Sequence, residues 1–227
     1  MRSTGNTDDI LSALKASRLF SGIGDAELSK FVECSGTVLR SYPAGCVILR
    51  EGDIPCDIYV VAEGAVSLSR AVPDGRETFA EHGRGDSFSM TEAFAGLPSG
   101  YGAVTADGCV LALVPAAKLL APCREVCGCH LRVLRNLTRT LAVSSAESKE
   151  RLTHLTRRTT RGKLLSYLIA EAEKAGSDSF RIPLDRQELA DYLAVDRSAM
   201  SSELSKLRAE GIIETDRSEF RIIRNNL

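Results

Sequence analysis

The chain has 227 residues, of which 44% are hydrophobic and 26% charged, and these proportions are ordinary for one large or two modest globular domains. It has no apolar run near the ~20 residues that a membrane span needs, and residues 1–20 lack the pattern of a signal peptide. Seven cysteines, an odd number, favour reduced thiols over a disulfide framework. We therefore expect a cytoplasmic protein with no membrane partner.

The net charge of −1 conceals an asymmetry along the chain. Residues 1–120 contain 10 Lys and Arg against 15 Asp and Glu, a net of −5, whereas residues 121–227 contain 19 against 15, a net of +4. The stretch RLTHLTRRTTRGK at 151–163 has five basic side chains and no acidic one. Such a run forms a solvated helix face or contacts phosphates, and composition leaves both alternatives open.

Residues 40–115 have the pattern of short antiparallel strands. Apolar and β-branched runs of four to six residues, such as VILR, DIYVV and VLALV, alternate with glycine and proline turns. This spacing favours a β barrel or sandwich. Residues 7–20 and 25–34 have the pattern of short amphipathic helices, so a helical segment precedes the strands.

From about residue 121 to 157 the period becomes that of a long helix with an apolar seam, interrupted by serines at 144, 145 and 148. The leucines of this seam are Leu131, Leu134, Leu137, Leu141, Leu152 and Leu155. A long helix with one narrow apolar stripe usually pairs with another helix, and a second copy of the chain is the simplest partner. We expect a homodimer, with packing against the chain's own β domain as the alternative.

Residues 159–227 have the pattern of a winged helix-turn-helix. A helix over 159–174 is closed by Gly176 and followed by a loop at 177–179. Asp185 and Glu188 have the spacing of a capping box, and Asp196 is a plausible N-cap for the next helix. That helix has an apolar stripe and ends at Gly211, after which IIE…FRII predicts a two-stranded hairpin. The residues of the stripe are Met200, Leu204 and Leu207.

The outer face of the second helix carries short and hydrogen-bonding side chains that suit the major groove of double-stranded DNA. Arg197 is the best candidate for a bidentate contact to guanine, and Gln187 on the preceding helix could contact a phosphate or a base edge. The other candidate DNA contacts are Ser198, Ser201, Ser202, Ser205 and Lys206. The alternative is a winged helix that binds a protein. No P-loop, GxGxxG, HExxH or nucleophile–base set is present, so we do not expect an enzyme.

Together the three segments resemble the CRP/FNR superfamily of bacterial transcription regulators over about residues 10–225. The resemblance is carried by PAGCVILREGDIPCDIYVVAEGAVSL, GRGDSFSMTEAF and DRQELADYLAVDRSAMSSELSKLRAEGII. It implies an α+β fold, with an antiparallel, jelly-roll-like β-roll that senses an effector (1–120), a dimerisation helix (121–157) and a winged helix-turn-helix (158–227). It also implies a homodimer that regulates promoters at palindromic sites, with RNA polymerase as a partner if it activates.

The resemblance also shows where this chain departs from the family. Arg197 matches an arginine that many members use to contact guanine, whereas Ser198 and Ser202 replace the glutamate and arginine of the best-known regulators. Rolls that bind cyclic AMP carry a Gly-Glu pair and an Arg-Ser pair. In this chain Ser89-Met90 stands at the position of the first pair, and the second pair falls near Gly100-Tyr101. We therefore do not expect cyclic AMP in its usual mode. The effector is unknown, and the candidate pocket residues are Ser89, Met90, Thr91 and Glu92.

The segment PCREVCGCH at 122–130 contains three cysteines and a histidine, of which Cys123, Cys127 and His130 share a face if the helix runs through them. Thiolates and an imidazole could hold Zn²⁺, an iron–sulfur cluster or haem. The alternatives are redox-active thiols or plain buried side chains, since free cysteine packs as a small hydrophobe. Cys129 completes the candidate set. A thiol- or metal-dependent sensor whose winged helix binds a protein is the alternative function.

Overall fold

A computed structural model describes residues 6–120 and 128–223 of the chain. The chain divides into two compact units, Met1–Ala142 and Val143–Leu227. The first contains antiparallel β-sheets, a long helix follows them, and the second contains a helix-turn-helix with a small sheet. The predicted α+β class and order of elements are therefore confirmed.

The first unit begins with two helices, α1 (Thr7–Ala16) and α2 (Asp25–Ser35), separated by a 3₁₀ turn. Eight strands follow: β1 (Val38–Tyr42), β2 (Val47–Leu49), β3 (Asp57–Glu63), β4 (Val66–Val72), β5 (Gly75–His82), β6 (Ser87–Phe88), β7 (Gly102–Thr105) and β8 (Cys109–Pro115). They form two four-stranded antiparallel sheets, in the orders β1-β8-β3-β6 and β2-β7-β4-β5. Short helices α3 (Met90–Ala95) and α4 (Ala116–Leu120), which the strand pattern did not predict, complete the β-roll.

Two apolar layers hold this unit together, because successive side chains of a strand point to opposite faces of its sheet. Ile58 and Val60 of β3 face a core that also contains Leu14 and Phe31 from the N-terminal helices. On the other face, Val61 of β3 belongs to a second core, which lies between the sheets. The helices thus cover one side of the roll while the two sheets cover each other.

The long helix α5 spans Gly128–Leu155 and has an apolar face within the first unit. Cys129, Val133 and Leu137 are buried there together. The placement of Leu137 in the seam is therefore wrong, because the first turns of the helix use this leucine to pack against their own β-roll. Leu131 and Leu152 are 65% and 59% exposed, so this part of the predicted seam lies outside both cores.

The second unit contains α6 (Thr160–Ala175), β9 (Ser179–Arg181), α7 (Arg186–Tyr192), α8 (Arg197–Ala209), β10 (Ile213–Asp216) and β11 (Glu219–Ile222). The hairpin of β10 and β11 is as predicted, but β9 adds a third strand in the order β10-β11-β9. The expectation of a loop at Ser179 is wrong, because Phe180 stacks on Phe220 with ring centroids 6.1 Å apart and the strand pairs with β11. No helix in the described ranges is long and apolar enough to cross a membrane.

Candidate DNA interface and effector pocket

The helix-turn-helix is built from two well-capped helices. At the start of α7, Asp185 accepts hydrogen bonds from the backbone N–H groups of Gln187 and Glu188, at 2.7 and 2.8 Å. Glu188 in turn accepts from the N–H of Asp185 at 2.7 Å, which completes the predicted capping box. Asp196 caps α8 by accepting from the N–H of Ala199 at 2.9 Å, so the predicted N-cap is also confirmed.

Electrostatics reinforce the cap of α8. The Ser198 hydroxyl and the Ala199 N–H both donate to the carboxylate of Asp196, and these hydrogen bonds lower the pKa of Asp196 below its ordinary value. The residue therefore carries a negative charge at neutral pH. This charge lies at the positive end of the α8 dipole, where it stabilises the first turn of the helix.

The two sides of α8 differ completely in exposure. Met200, Leu204 and Leu207 are buried in the core of the second unit, as the apolar stripe predicts. The predicted DNA-contacting side chains all lie at exposed positions: Gln187, Arg197, Ser198, Ser201, Ser202, Ser205 and Lys206. All but Gln187, on α7, are on α8, and Arg197, Ser201 and Ser205 recur every four residues along one line of its surface.

Most of these side chains already bond within their own segment. The hydroxyls of Ser201 and Ser205 donate to the carbonyls four residues before them, at 2.9 and 3.0 Å. Each hydroxyl thus offers its lone pairs outward, where it can accept from the amino group of a base. Lys206 pairs with Glu203 at 2.7 Å, and Gln187 donates to Asp191 at 2.9 Å.

Arg197 and Ser202 differ from the other members of this face. Neither side chain makes a hydrogen bond or ion pair with any residue in the described ranges. Arg197 is the first residue of α8 and follows the Asp196 cap directly. A guanidinium at this place is oriented by a fixed helix terminus and has its donors free for an outside partner.

The structure adds one exposed cation that the sequence did not single out. Arg217 lies at the turn between β10 and β11, with a positive φ of 50°. Its neighbour Ser218 accepts a hydrogen bond from Arg181 at 3.2 Å, which ties the turn to β9. The predicted hairpin was the available signal, but the residue at its tip depends on the strand register, which the apolar pattern alone does not determine.

In the β-roll, the four predicted effector-pocket residues lie at the start of α3. Ser89 is buried with a left-handed φ of 61°, and its hydroxyl donates to the carbonyl of Asp57 at 2.6 Å. Its backbone N–H donates to the hydroxyl of Tyr101 at 3.0 Å. Met90 is partly buried beside the first core, Thr91 is exposed, and Glu92 is half-buried.

Tyr101 is the residue that organises this part of the roll. Burial, together with the neighbouring Glu92 carboxylate, raises the pKa of Tyr101 to about 12, so the phenol is neutral at physiological pH. Its hydroxyl is bonded to the Ser89 backbone at the position where the resemblance would place contacts to a cyclic nucleotide. The groups found here bond to each other and do not fit the usual mode of cyclic-phosphate binding.

The cysteine-rich segment is only partly described. Cys123 and Cys127 lie outside the described residues, while Cys129 and His130 are both buried at the start of α5. The His130 ring lies 5.4 Å from the ring of Phe31, centroid to centroid. Within residues 6–120 and 128–223, no three His, Cys, Asp or Glu side chains form a group that could hold a metal ion. The metal and redox hypotheses stay predictions.

Comparison with known proteins decides the family. Residues 39–125 match the family model described as "Cyclic nucleotide-binding domain", and residues 162–226 match the "Crp-like helix-turn-helix domain". The chain belongs to the CRP/FNR superfamily of transcription regulators. The order of the two matches is the order of the β-roll and the helix-turn-helix in this CRP/FNR regulator.

Individual relatives of this CRP/FNR regulator are distant but similar over most of their length. The "Nitrogen fixation regulation protein FixK" of Bradyrhizobium diazoefficiens is 26% identical over 215 residues, which cover 88% of this chain and 84% of the relative. The "Transcriptional activator protein FnrL" of Cereibacter sphaeroides is 25% identical over 183 residues, covering 77% and 71%. The crystal structure of Thermus thermophilus catabolite activator protein shares the fold, with a TM-score of 0.56, 24% identity and coverage of 91% and 94%.

Proposed function

We propose that this CRP/FNR regulator binds palindromic promoter DNA as a homodimer, with α8 of each protomer in the major groove. The observation that carries the proposal is the first turn of α8. There Asp196 caps the helix, Met200 is buried in the core, and Arg197 is exposed with no side-chain partner among the described residues. A helix held in this way presents its N-terminal side chains to base edges.

The homodimer is supported by the exposure pattern along α5. Counted in heptads from Leu131, the a and d positions are 131, 134, 138, 141, 145, 148, 152 and 155. None of them is fully buried, although Leu134 and Leu141 pack partly against the first core. Leu131 and Leu152 at opposite ends of this seam are largely exposed. A parallel second copy would cover both leucines, while the polar residues Thr138, Ser145 and Ser148 would weaken the middle of the interface.

The relatives support one regulatory direction, and the β-roll bears on the kind of signal. A relative named as a transcriptional activator supports activation, for which RNA polymerase is the partner. The internal bond between Tyr101 and Ser89 supports control by a signal other than a cyclic nucleotide in its usual mode. We propose that an unidentified small-molecule, redox or metal signal acts at the roll or the long helix, and that the protein works in the cytoplasm, where bacterial promoters are.

The test begins with duplexes that the unaltered protein selects from a random-sequence pool. Affinity is then measured for the selected duplex and for its single base-pair variants, with Arg197→Ala compared to the unaltered protein. We expect Arg197→Ala to remove about 1–3 kcal/mol of discrimination at one base pair of each half-site. Arg208→Ala, an exposed arginine in the last turn of α8, is the matched control and should leave that base preference intact.

Two outcomes would contradict the proposal. A protein that selects no motif, or whose affinity for duplexes does not fall with salt, does not recognise DNA through this surface. An equal loss at every base pair in Arg197→Ala would assign the arginine to a phosphate and remove it from base recognition.

A further inference from the structure

The end of α7 is bonded by two cations that come from other helices. The last carbonyls of an α-helix have no partner within the helix. Arg151 of α5 donates from Nε to the carbonyl of Tyr192 at 3.0 Å and from Nη2 to that of Asp191 at 3.4 Å. Lys163 of α6 donates from Nζ to the carbonyls of Leu193 and Ala194, both at 3.1 Å. Four successive carbonyls are therefore bonded to two side chains, Arg151 and Lys163, which we call the turn clamp.

These four carbonyls belong to the turn that sets the direction of α8. Ala194 has a φ of 48°, a left-handed conformation that is unfavourable for a residue with a Cβ atom. Two residues later Asp196 caps α8. The two cations at the C-terminus of α7 also interact favourably with the negative end of its dipole. The turn clamp therefore stabilises a backbone conformation that local preference alone disfavours.

Each member of the turn clamp is itself held in place. The Arg151 guanidinium lies 5.0 Å above the centre of the Tyr192 ring, so it stacks on the residue whose carbonyl it bonds. Lys163 is in the first turn of α6, which Thr159 caps through the N–H of Gly162 at 3.0 Å. Both cations thus extend from ordered helices and not from loops.

The first turn of α6 also reaches the other end of α8. Arg161 donates through both guanidinium Nη atoms to the carboxylate of Glu210, the C-cap residue of α8. Lys163, two residues later, bonds the turn that precedes α8. One turn of α6 is therefore bonded to the backbone before α8 and to the side chain that ends it.

These contacts divide the basic run 151–163 into two kinds of residue. Arg151, Arg161 and Lys163 direct their donors to groups of their own unit. Arg157 and Arg158 are exposed, and their side chains make no hydrogen bond or ion pair with any described residue. Composition alone did not distinguish the five basic residues as candidates for phosphate contact. In the structure, Arg157 and Arg158 are the two whose side chains remain available for it.

We infer that Arg151 and Lys163 are positioning residues for DNA recognition: they hold the turn at 193–196 and, through it, fix the orientation of α8. The inference rests on the proposed function, in which α8 contacts bases. Arg151 has a further consequence, because it lies on the long helix. Its side chain joins that helix directly to the turn before α8.

A positioning role and a phosphate contact have different signatures in DNA binding. A phosphate contact adds affinity for every sequence and increases the dependence on salt. A residue that orients α8 adds affinity only for the duplex whose bases α8 contacts. Comparing a selected duplex with a scrambled duplex over a salt series therefore separates the two roles.

The experiment compares Arg151→Met and Lys163→Met with Arg158→Met in the full-length chain, using the duplex selected by the unaltered protein. We expect each turn-clamp variant to bind the selected duplex about tenfold more weakly or worse. The reason is that the turn that orients α8 loses two hydrogen bonds from a charged donor. Affinity for scrambled DNA and the salt slope should stay unchanged. Arg158→Met should weaken both duplexes together and reduce the salt slope by about one phosphate contact. Lys163→Arg, which keeps the charge and the donors, should recover most of the loss.

Several outcomes would overturn the inference. Equal weakening of both duplexes with a shallower salt slope in Lys163→Met would make the lysine a phosphate contact. Unchanged affinity for the selected duplex in both turn-clamp variants would show that the turn orients α8 without them. If the unaltered protein selects no duplex at all, the proposed function fails, and amide hydrogen exchange then tests the turn clamp by itself.

A second measurement covers the case in which the methionine variants do not fold. Lys163→Gln keeps a neutral donor with a shorter side chain, and amide hydrogen exchange is followed in this variant. We expect faster exchange at Val195 and in the first turn of α8, with little change in α6. Unchanged exchange at those positions would contradict the turn clamp.

Discussion

The start of α3 in the β-roll and the exposed face of α8 differ in how far their polar groups are bonded within the chain. At the start of α3, Ser89 bonds to Asp57 and Tyr101, so the polar groups there are satisfied within the chain. On α8, Arg197 and Ser202 make no such bonds with the described residues and face outward. A buried polar group that lacks a hydrogen bond costs free energy, so it is bonded within the protein. An exposed polar group is hydrated and remains available to a binding partner.

This difference bears on what the family resemblance carries to each part. In the winged helix, the order of elements matches the family, and Arg197 stands at the position of the family's arginine. In the roll, the sheets match, but Ser89 and Tyr101 bond to each other where the resemblance would place contacts to a cyclic nucleotide in its usual mode. Fold alone therefore does not carry function, and the site residues of each part have to be compared separately.

Leu152→Glu should have the largest effect. It tests whether the exposed DNA-binding faces of two protomers act together in a dimer. A buried carboxylate in the seam would separate the proposed dimer, and the two half-sites would then be bound independently. We expect at least about a 100-fold loss of affinity for a palindromic duplex, with a monomer mass in analytical ultracentrifugation.

Thr153→Glu is the matched control, because it adds the same charge at the next, exposed position outside the seam. It should leave the mass and affinity close to those of the unaltered protein. A dimer that survives Leu152→Glu would place the interface elsewhere.

Tyr101→Phe tests the claim that the roll satisfies its own polar groups. Removing the hydroxyl leaves the N–H of the buried Ser89 without its acceptor, which should lower the free energy of unfolding by about 1–3 kcal/mol. Urea unfolding followed by circular dichroism measures the change. Phe79→Leu, a change to a half-exposed ring next to Tyr101, should stay within about 0.5 kcal/mol. Equal stability of Tyr101→Phe and the unaltered protein would remove the contrast between the two regions.

The smallest expected effect concerns His154, whose Nε2 is buried and, like Nη1 of Arg186, has no hydrogen-bond partner among the described residues. Its Nδ1 lies 2.9 Å from the Ser166 hydroxyl, and burial lowers the pKa of His154 below its ordinary value. The unfolded chain therefore binds a proton more readily than the folded one, so stability should fall as the pH drops below about 6.5. Thermal unfolding over this pH range should show a weaker dependence in His154→Gln. An unchanged slope would mean that other groups dominate.

Much of the second unit could be predicted because its signals are local. The capping box of Asp185 and Glu188, the Asp196 cap and the stripe of Met200, Leu204 and Leu207 all lie within a few residues of the structure that they form. Strand β9 was not predicted, because it forms by pairing with β11, some forty residues later in the chain. A three-residue strand has too little periodicity to be distinguished from a loop.

The sequence by itself determined the fold class and the exposed face of α8, because cap spacing and hydrophobic periodicity are properties of neighbouring residues. Its longer motifs carried the resemblance to the family. Only the tertiary structure decided which polar groups are already bonded. It placed Leu137 in the core of the first unit, bonded Tyr101 to Ser89, and separated Arg151 and Lys163 from Arg157 and Arg158. The physical reason is that a hydrogen-bond partner is chosen by distance in space, and these partners lie between 12 and 41 residues apart along the chain.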